Sequence, residues 1–179
     1  MTEELAKKTG SRQALISVSI GLLIAQLIMT WLSSDSGWIN GFLWFVPFSY
    51  KLNIIIGATI MLLCGHFFGQ RAGIEILIKK KHYTWVGFKY GMSTLLTTAF
   101  LASWTGFFQE GIDHIGTNDE PIIDYIFKPV FWIFIFGLIP VLLVGFWFGR
   151  QIKKQDEFLK LKNATEKFNF SRIKSLFAD

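Results

Sequence analysis

The segment Phe127–Gly149 reads FKPVFWIFIFGLIPVLLVGFWFG. Its only charge is Lys128, in the first turn, and everything after it is apolar or small. The hydrocarbon core of a bilayer is about 30 Å thick and a helix rises about 1.5 Å per residue, so about 20 such residues suffice to cross it. A helix that is hydrophobic on every side needs lipid or a large protein core around it. This stretch is therefore read as a membrane span.

Working outward, three more segments have the same character. They are Ala14–Leu32, Leu52–Gln70 (with an apolar pattern that runs on toward Ile78) and Val86–Phe108. None holds an acid in its membrane part. Lys51, Lys89 and Lys128 stand at segment ends, where a long side chain can snorkel to the interface. The whole chain agrees with this reading. Of 179 residues, 51% are hydrophobic and 17% charged, Phe occurs 19 times and mean hydropathy is +0.41. Globular chains average about 25% charge. A disordered tail, a collagen-like chain and an ordinary soluble enzyme domain are excluded.

The expected fold class is an all-α integral membrane protein with four transmembrane helices. Two tandem helical hairpins are one arrangement of them, with an external interfacial segment and a short amphipathic tail. The domain reading is a cytoplasmic N-terminal tail over 1–13, a membrane domain over 14–151 and a basic amphipathic tail over 152–179. Residues Thr30 to Ser33 make a poor small-residue cleavage site, so the first span is read as an uncleaved helix rather than a signal peptide.

Lys and Arg set the orientation. One side carries Lys7, Lys8 and Arg12, then Arg71, Lys79, Lys80, Lys81 and Lys89, then eight more from Arg150 to Lys174. The other side has Lys51 and Lys128 alone, among Asp35, Glu110, Asp113, Asp119, Glu120 and Asp124. Both termini are expected in the cytoplasm, with the chain multi-pass in an inner membrane. Lys, Ile, Phe and Asn usage fits an AT-rich bacterium. The net charge of +5 is positive-inside anchoring and not a sign of nucleic acid.

The second and fourth spans match at an offset of 80 residues. Gly57 meets Gly137, Leu62 meets Leu142, Gly65 meets Gly145, Phe68 meets Phe148 and Gly69 meets Gly149. Chance similarity in Phe- and Gly-rich sequence competes with a duplication. Gly65 and Gly69, Gly87 and Gly91, and Gly145 and Gly149 are each four apart. Such pairs lie on one helix face and let another backbone approach closely, within the chain or between chains. Pro140 is expected to kink the fourth span.

Polar groups within the spans define a possible path. They are Gln26, His66 and the hydroxyls Ser93, Thr94, Thr97 and Thr98. Gln26 is expected to bond to another helix. His66, one turn from the basic side, reads as a partnered packing residue, with a titrating switch as the alternative. The hydroxyls either bond their own backbone carbonyls or line a pathway. Cys64 reads as a buried inert thiol. One Cys rules out a disulfide framework, and three scattered His make no zinc site. No catalytic, cofactor-binding or metal-ligating motif is present.

Two segments suggest docking. Gly37–Tyr50 is aromatic but too short to span, and its Trp38, Phe42 and Trp44 suit a headgroup layer or a partner. In the tail, Asn163 offers a helix break and Ser171 a cap. Phe170, Ile173, Leu176 and Phe177 then form an amphipathic stripe. The functional expectation is a non-enzymatic subunit or anchor of a complex. Its partners would be the lipid bilayer and another membrane or cytoplasmic protein, or itself as a homo-oligomer, with no nucleic acid and no cofactor. The alternative is an oligomeric channel, small transporter or membrane-perturbing effector.

Overall fold

The computed structural model describes residues 2–33, 37–43, 51–116 and 120–176, with side chains to Phe158. It is all-helical among these residues. Helix α1 is Glu3–Leu32, α2 the short Trp38–Phe42, α3 Lys51–Leu77, α4 Tyr83–Gln109 and α5 Lys128–Leu176. A 3-10 turn at Gly111–His114 follows α4, and a π turn at Ile123–Phe127 leads into α5.

Three helices are long and apolar enough to cross a membrane: Glu3–Trp31, Asn53–Leu77 and Ile123–Phe158. Helix α4 has the same 27 residues as α3 but is not one of them. The reason is visible in its sequence, where seven Ser and Thr, three Gly and Lys89 dilute the apolar residues.

The four long helices run antiparallel in succession. Along α1 and α3, Ala6 meets Gly73, Ala14 meets Gly69 and Val18 meets Gly65. Along α3 and α4, Gly57 meets Ala102 and Phe68 meets Tyr90. Along α4 and α5, Gly87 meets Gly145, Gly91 meets Val141 and Leu95 meets Gly137. The N-terminal part of α1, the 78–82 turn and Arg150 therefore gather at one end of the bundle, which we call the basic end.

The packed core lies at that end. Ala6, Ala14, Ala72, Ile76, Leu77, Val86, Tyr90, Phe148 and Ile152 form one buried cluster, with Phe68 and Tyr83 against it. The rest of α5 is apolar and largely open: Phe131, Trp132, Phe134, Phe136, Ile139 and Leu143 are all exposed. That is the surface expected of a helix bathed in hydrocarbon rather than water.

Two boundaries differ from the sequence reading. Helix α1 begins at Glu3, eleven residues before Ala14, because Glu3–Lys7 forms an i,i+4 ion pair at 2.7 Å and both first-turn acids suit the helix N-terminus. Helix α5 does not break at Asn163 but runs unbroken for 49 residues. An Asn in a helix interior is only about 0.7 kcal/mol less favourable than Ala, too little to end a helix. It also continues through Pro140, whose missing N–H leaves the Phe136 carbonyl without its usual donor.

Candidate functional site

The most distinctive geometry is a pair of helix crossings at the basic end. In the first, a Cβ on Gly10 would overlap the carbonyl oxygen of Gly69, and one on Gly73 would overlap that of Ala6. In the second, a Cβ on Gly87 would overlap the carbonyl oxygen of Gly145, and one on Gly149 would overlap that of Tyr83. Each crossing thus has one glycine from each helix facing a carbonyl of the other. Such approach permits Cα–H···O contacts, individually weak but recurrent at helix interfaces.

The two crossings correspond closely. Ala6 and Gly10 take the places of Tyr83 and Gly87, an offset of 77, while Gly69 and Gly73 take those of Gly145 and Gly149, an offset of 76. The sequence match at 80 is one helical turn away from this geometric equivalence. Gly65 and Gly91 face side chains instead of carbonyls: a Cβ on Gly65 would overlap a Val18 methyl group, and one on Gly91 would lie 3.2 Å from a Val141 methyl group. Gly10 and Gly73 escaped the sequence reading, although Ala6-Gly10-Ala14 and Gly65-Gly69-Gly73 repeat at four-residue spacing.

A polar tie belongs to the first crossing alone. His66 Nδ1 lies 2.7 Å from Ser11 Oγ, and its Nε2 lies 2.7 Å from Gln70 Nε2. With the Gln70 amide donating, the neutral ring carries its proton on Nδ1 and donates it to Ser11. Ser11 is buried. His66 is therefore partnered on both nitrogens, across α1 and along α3. Cys64, two residues before His66, is a partly buried free thiol.

The hydroxyl face of α4 is turned inward and mostly self-bonded. Ser93 donates to Lys89 O at 2.9 Å, Thr94 to Tyr90 O at 2.8 Å, Ser103 to Ala99 O at 2.8 Å and Thr105 to Ala102 O at 2.6 Å. Thr98 is buried with no partner for its hydroxyl, and the Asn53 side-chain oxygen is likewise unpartnered. Thr97 is partly exposed. Near the other end, Gln26 donates to the Phe42 carbonyl at 2.8 Å, holding α2 against α1, and Thr30 bonds back to Gln26 O.

Trp38, Ile39 and Phe42 of α2 are exposed. Trp44 and Phe177 lie outside the described residues. Phe170 and Ile173 fall within α5, beyond the last described side chain.

The α3–α4 turn carries a charge cluster that sequence reasoning did not single out. The Glu75 carboxylate is 12% exposed, with Lys81 at 3.1 Å and Lys89 at 3.7 Å. The Tyr90 hydroxyl donates to the same carboxylate. Lys89 also sits over the Tyr90 ring at 4.9 Å. Lys80 bonds to Asp156 of α5 at 3.1 Å, and Lys153 of α5 lies 5.1 Å from the centre of the Tyr83 ring.

Among the described residues no group of three His, Cys, Asp or Glu could hold a metal ion. A recess of about 420 Å³ at the far end is walled by Phe107, Ile115, Pro121, Ile122 and Ile123, with Glu120 beside them. Among the described residues its walls offer one carboxylate and no second polar side chain for acid–base or nucleophilic chemistry. No protein-family model, curated protein or solved structure matches this chain.

Proposed function

We propose that this chain is a four-span protein of a bacterial inner membrane, with its basic end and both termini in the cytoplasm. It acts without catalysis, as a membrane-embedded subunit or anchor of a protein complex. The basic end gathers the Lys and Arg that the positive-inside rule places in the cytoplasm, and α4 joins the three apolar helices as the fourth span.

One observation carries the reading. Helix α5 has 49 residues, an axial length of about 74 Å. A bilayer core takes about 30 Å of that, and contacts of α5 with the rest of the bundle reach Ile152, Lys153 and Asp156. The helix then runs on past the bundle to Leu176. Most helical stability in proteins comes from packing of an apolar face, and the sequence beyond residue 157 repeats apolar residues from Phe158 to Leu176. A docking helix for another protein suits both facts. A polar pathway is less well supported, because four of the seven Ser and Thr hydroxyls of α4 are bonded to their own helix.

Gentle extraction from the native host tests this, with light scattering for particle mass and mass spectrometry for composition. The full chain is compared with one ending at Lys162. A stoichiometric second protein that is lost on truncation is expected. A homo-oligomer of unchanged mass that passes ions in liposomes would overturn the reading in favour of a channel.

A further inference from the structure

We propose that the outer groove between α3 and α4 at the basic end is a binding site for an anionic phospholipid, its phosphate held by Arg71 and Lys89. The proposal rests on the membrane-spanning reading above and adds a specific site to it.

The groove is defined by its fixed centre. Glu75 reaches across from α3 to Lys89 and Tyr90 of α4 and to Lys81 of the turn. Its carboxylate is largely buried and shared between two ammonium groups, so it neutralises one of them. Arg71 lies one helical turn from Glu75 on the same face of α3. It is exposed and forms no ion pair among the described residues, and its charge reaches the Tyr90 hydroxyl. Two ammonium groups thus share one carboxylate with Arg71 one turn away, and the groove keeps an excess of positive charge with no further anion to balance it among the described residues. Tyr90, held by Glu75 and lying under Lys89, keeps the two helices and their cations in register.

The charge alone would suit any phosphate. The surface leading away from it selects a lipid. From Arg71, steps of four along α3 reach Phe67 and Leu63, both exposed. From Lys89, steps of seven and eleven along α4 reach Leu96 and Phe100, both exposed, while Trp85 stands one turn on the other side. Each helix therefore presents a cation at the basic end followed by a bare apolar stripe toward the membrane centre. The two stripes start on either side of the Glu75–Lys89 pair. A diacyl phospholipid has that layout, with one phosphate and two chains, and Trp85 is placed for the headgroup layer.

The test uses the full chain in discs of phosphatidylcholine doped with phosphatidylglycerol, with retained lipid counted by native mass spectrometry. The double variant Arg71→Gln, Lys89→Gln is compared with Lys8→Gln, Arg12→Gln. The latter removes the same charge from the face of α1 opposite Gly10. One surface cation contributes about fivefold to anionic-lipid binding. At least a fivefold loss of retained phosphatidylglycerol is expected in the groove variant and none in the control. Equal loss in both, or loss in neither, would overturn the site. Displacement of the lipid by inorganic phosphate would overturn the lipid assignment and leave a soluble-anion site.

Removing Lys89 weakens the shell around Glu75 and could unfold the variant, so Glu75→Gln is the second probe. It keeps every cation and adds one net positive charge, so retention should hold or rise. A fall would mean that Glu75 itself holds the headgroup, through its glycerol hydroxyls, contrary to the proposal. Failure of the membrane reading would look different: the protein would purify without detergent and retain neither lipid.

Discussion

The two glycine crossings are built alike and finished differently. In both, a glycine of each helix faces a carbonyl of the other, so the backbones touch where a side chain would hold them apart. At the first crossing the neighbours are Ala14 and Ser11, and the seam is closed from within by the Ser11–His66–Gln70 hydrogen bonds. At the second they are Tyr83, Phe88 and Val141. Bulk replaces the polar tie, with Val86, Phe148 and Ile152 buried nearby and the Lys80–Asp156 pair outside. Close backbone approach depends on two glycines per crossing. What surrounds them can be polar or apolar.

The largest effects should follow from filling the shared feature. Gly10→Val and Gly87→Val each push side-chain atoms into a backbone carbonyl that cannot move without moving a helix. Overpacking of this kind costs about 3 kcal/mol or more. Thermal unfolding of each variant in detergent, followed by circular dichroism, should show large and similar losses. If only one of them unfolds the protein, the two crossings are not equivalent. Gly65→Ala is the contrast, since its added methyl group would meet a Val18 side chain rather than a backbone carbonyl, and a smaller loss is expected.

The next test separates the crossings. Ser11→Ala leaves His66 Nδ1 without its partner on α1. Interhelical hydrogen bonds in membranes are worth about 0.6 to 2 kcal/mol, so a loss in that range is expected. The loss should be absent in a chain that already carries His66→Phe, because the two residues act as one unit. Full additivity of the two variants would show that the tie contributes nothing. The second crossing has no counterpart to delete.

Between the crossings runs the α3–α4 seam, where an opposite sign is expected. Thr98 buries a hydroxyl with no partner. Thr98→Val keeps the shape and removes the unsatisfied group, so stability should rise by up to about 1 kcal/mol. Thr94→Val should change little, since it removes a hydroxyl bonded only to Tyr90 O of its own helix. A Thr98→Val loss would mean that water or a ligand occupies the seam, and would favour a polar path through it.

Much of this was legible in the sequence. The apolar runs locate three of the long helices, and the four-residue glycine spacing marks the contact faces of α3, α4 and α5. Gly10 and Gly73 were missed for a physical reason. They stand among Lys7, Lys8, Arg12, Arg71 and Glu75, where a hydropathy reading ends the span, yet the helices pack on past that limit. Spacing identifies a face but not its partner, so the pairing of Gly10 with Gly69 and of His66 with Ser11 needed the fold. The same holds for the groove. Arg71, Glu75 and Lys89 are scattered in sequence, and only the antiparallel course of α3 and α4 brings them together. Helix α5 resisted for the opposite reason: a single Asn163 looks like punctuation, but it cannot outweigh the helix-forming residues on either side.

The smallest effect should come from the ion pair outside the second crossing. Lys80 meets Asp156 at 3.1 Å, but the Lys80 side chain is 57% exposed. Exposed pairs of this kind contribute about 0.2 to 1 kcal/mol and are screened by salt. Asp156→Asn should therefore lower the unfolding temperature slightly in dilute buffer and not at all in about 1 M salt, where the Debye length is about 3 Å. Ser11→Ala should be far less sensitive to salt, because it removes a hydrogen bond between helices and no ion pair. If the Asp156→Asn loss survives high salt, the pair is more than a surface contact. The α3–α4 turn would then be held to α5 as firmly as α1 is held to α3, and the two crossings would be finished alike after all.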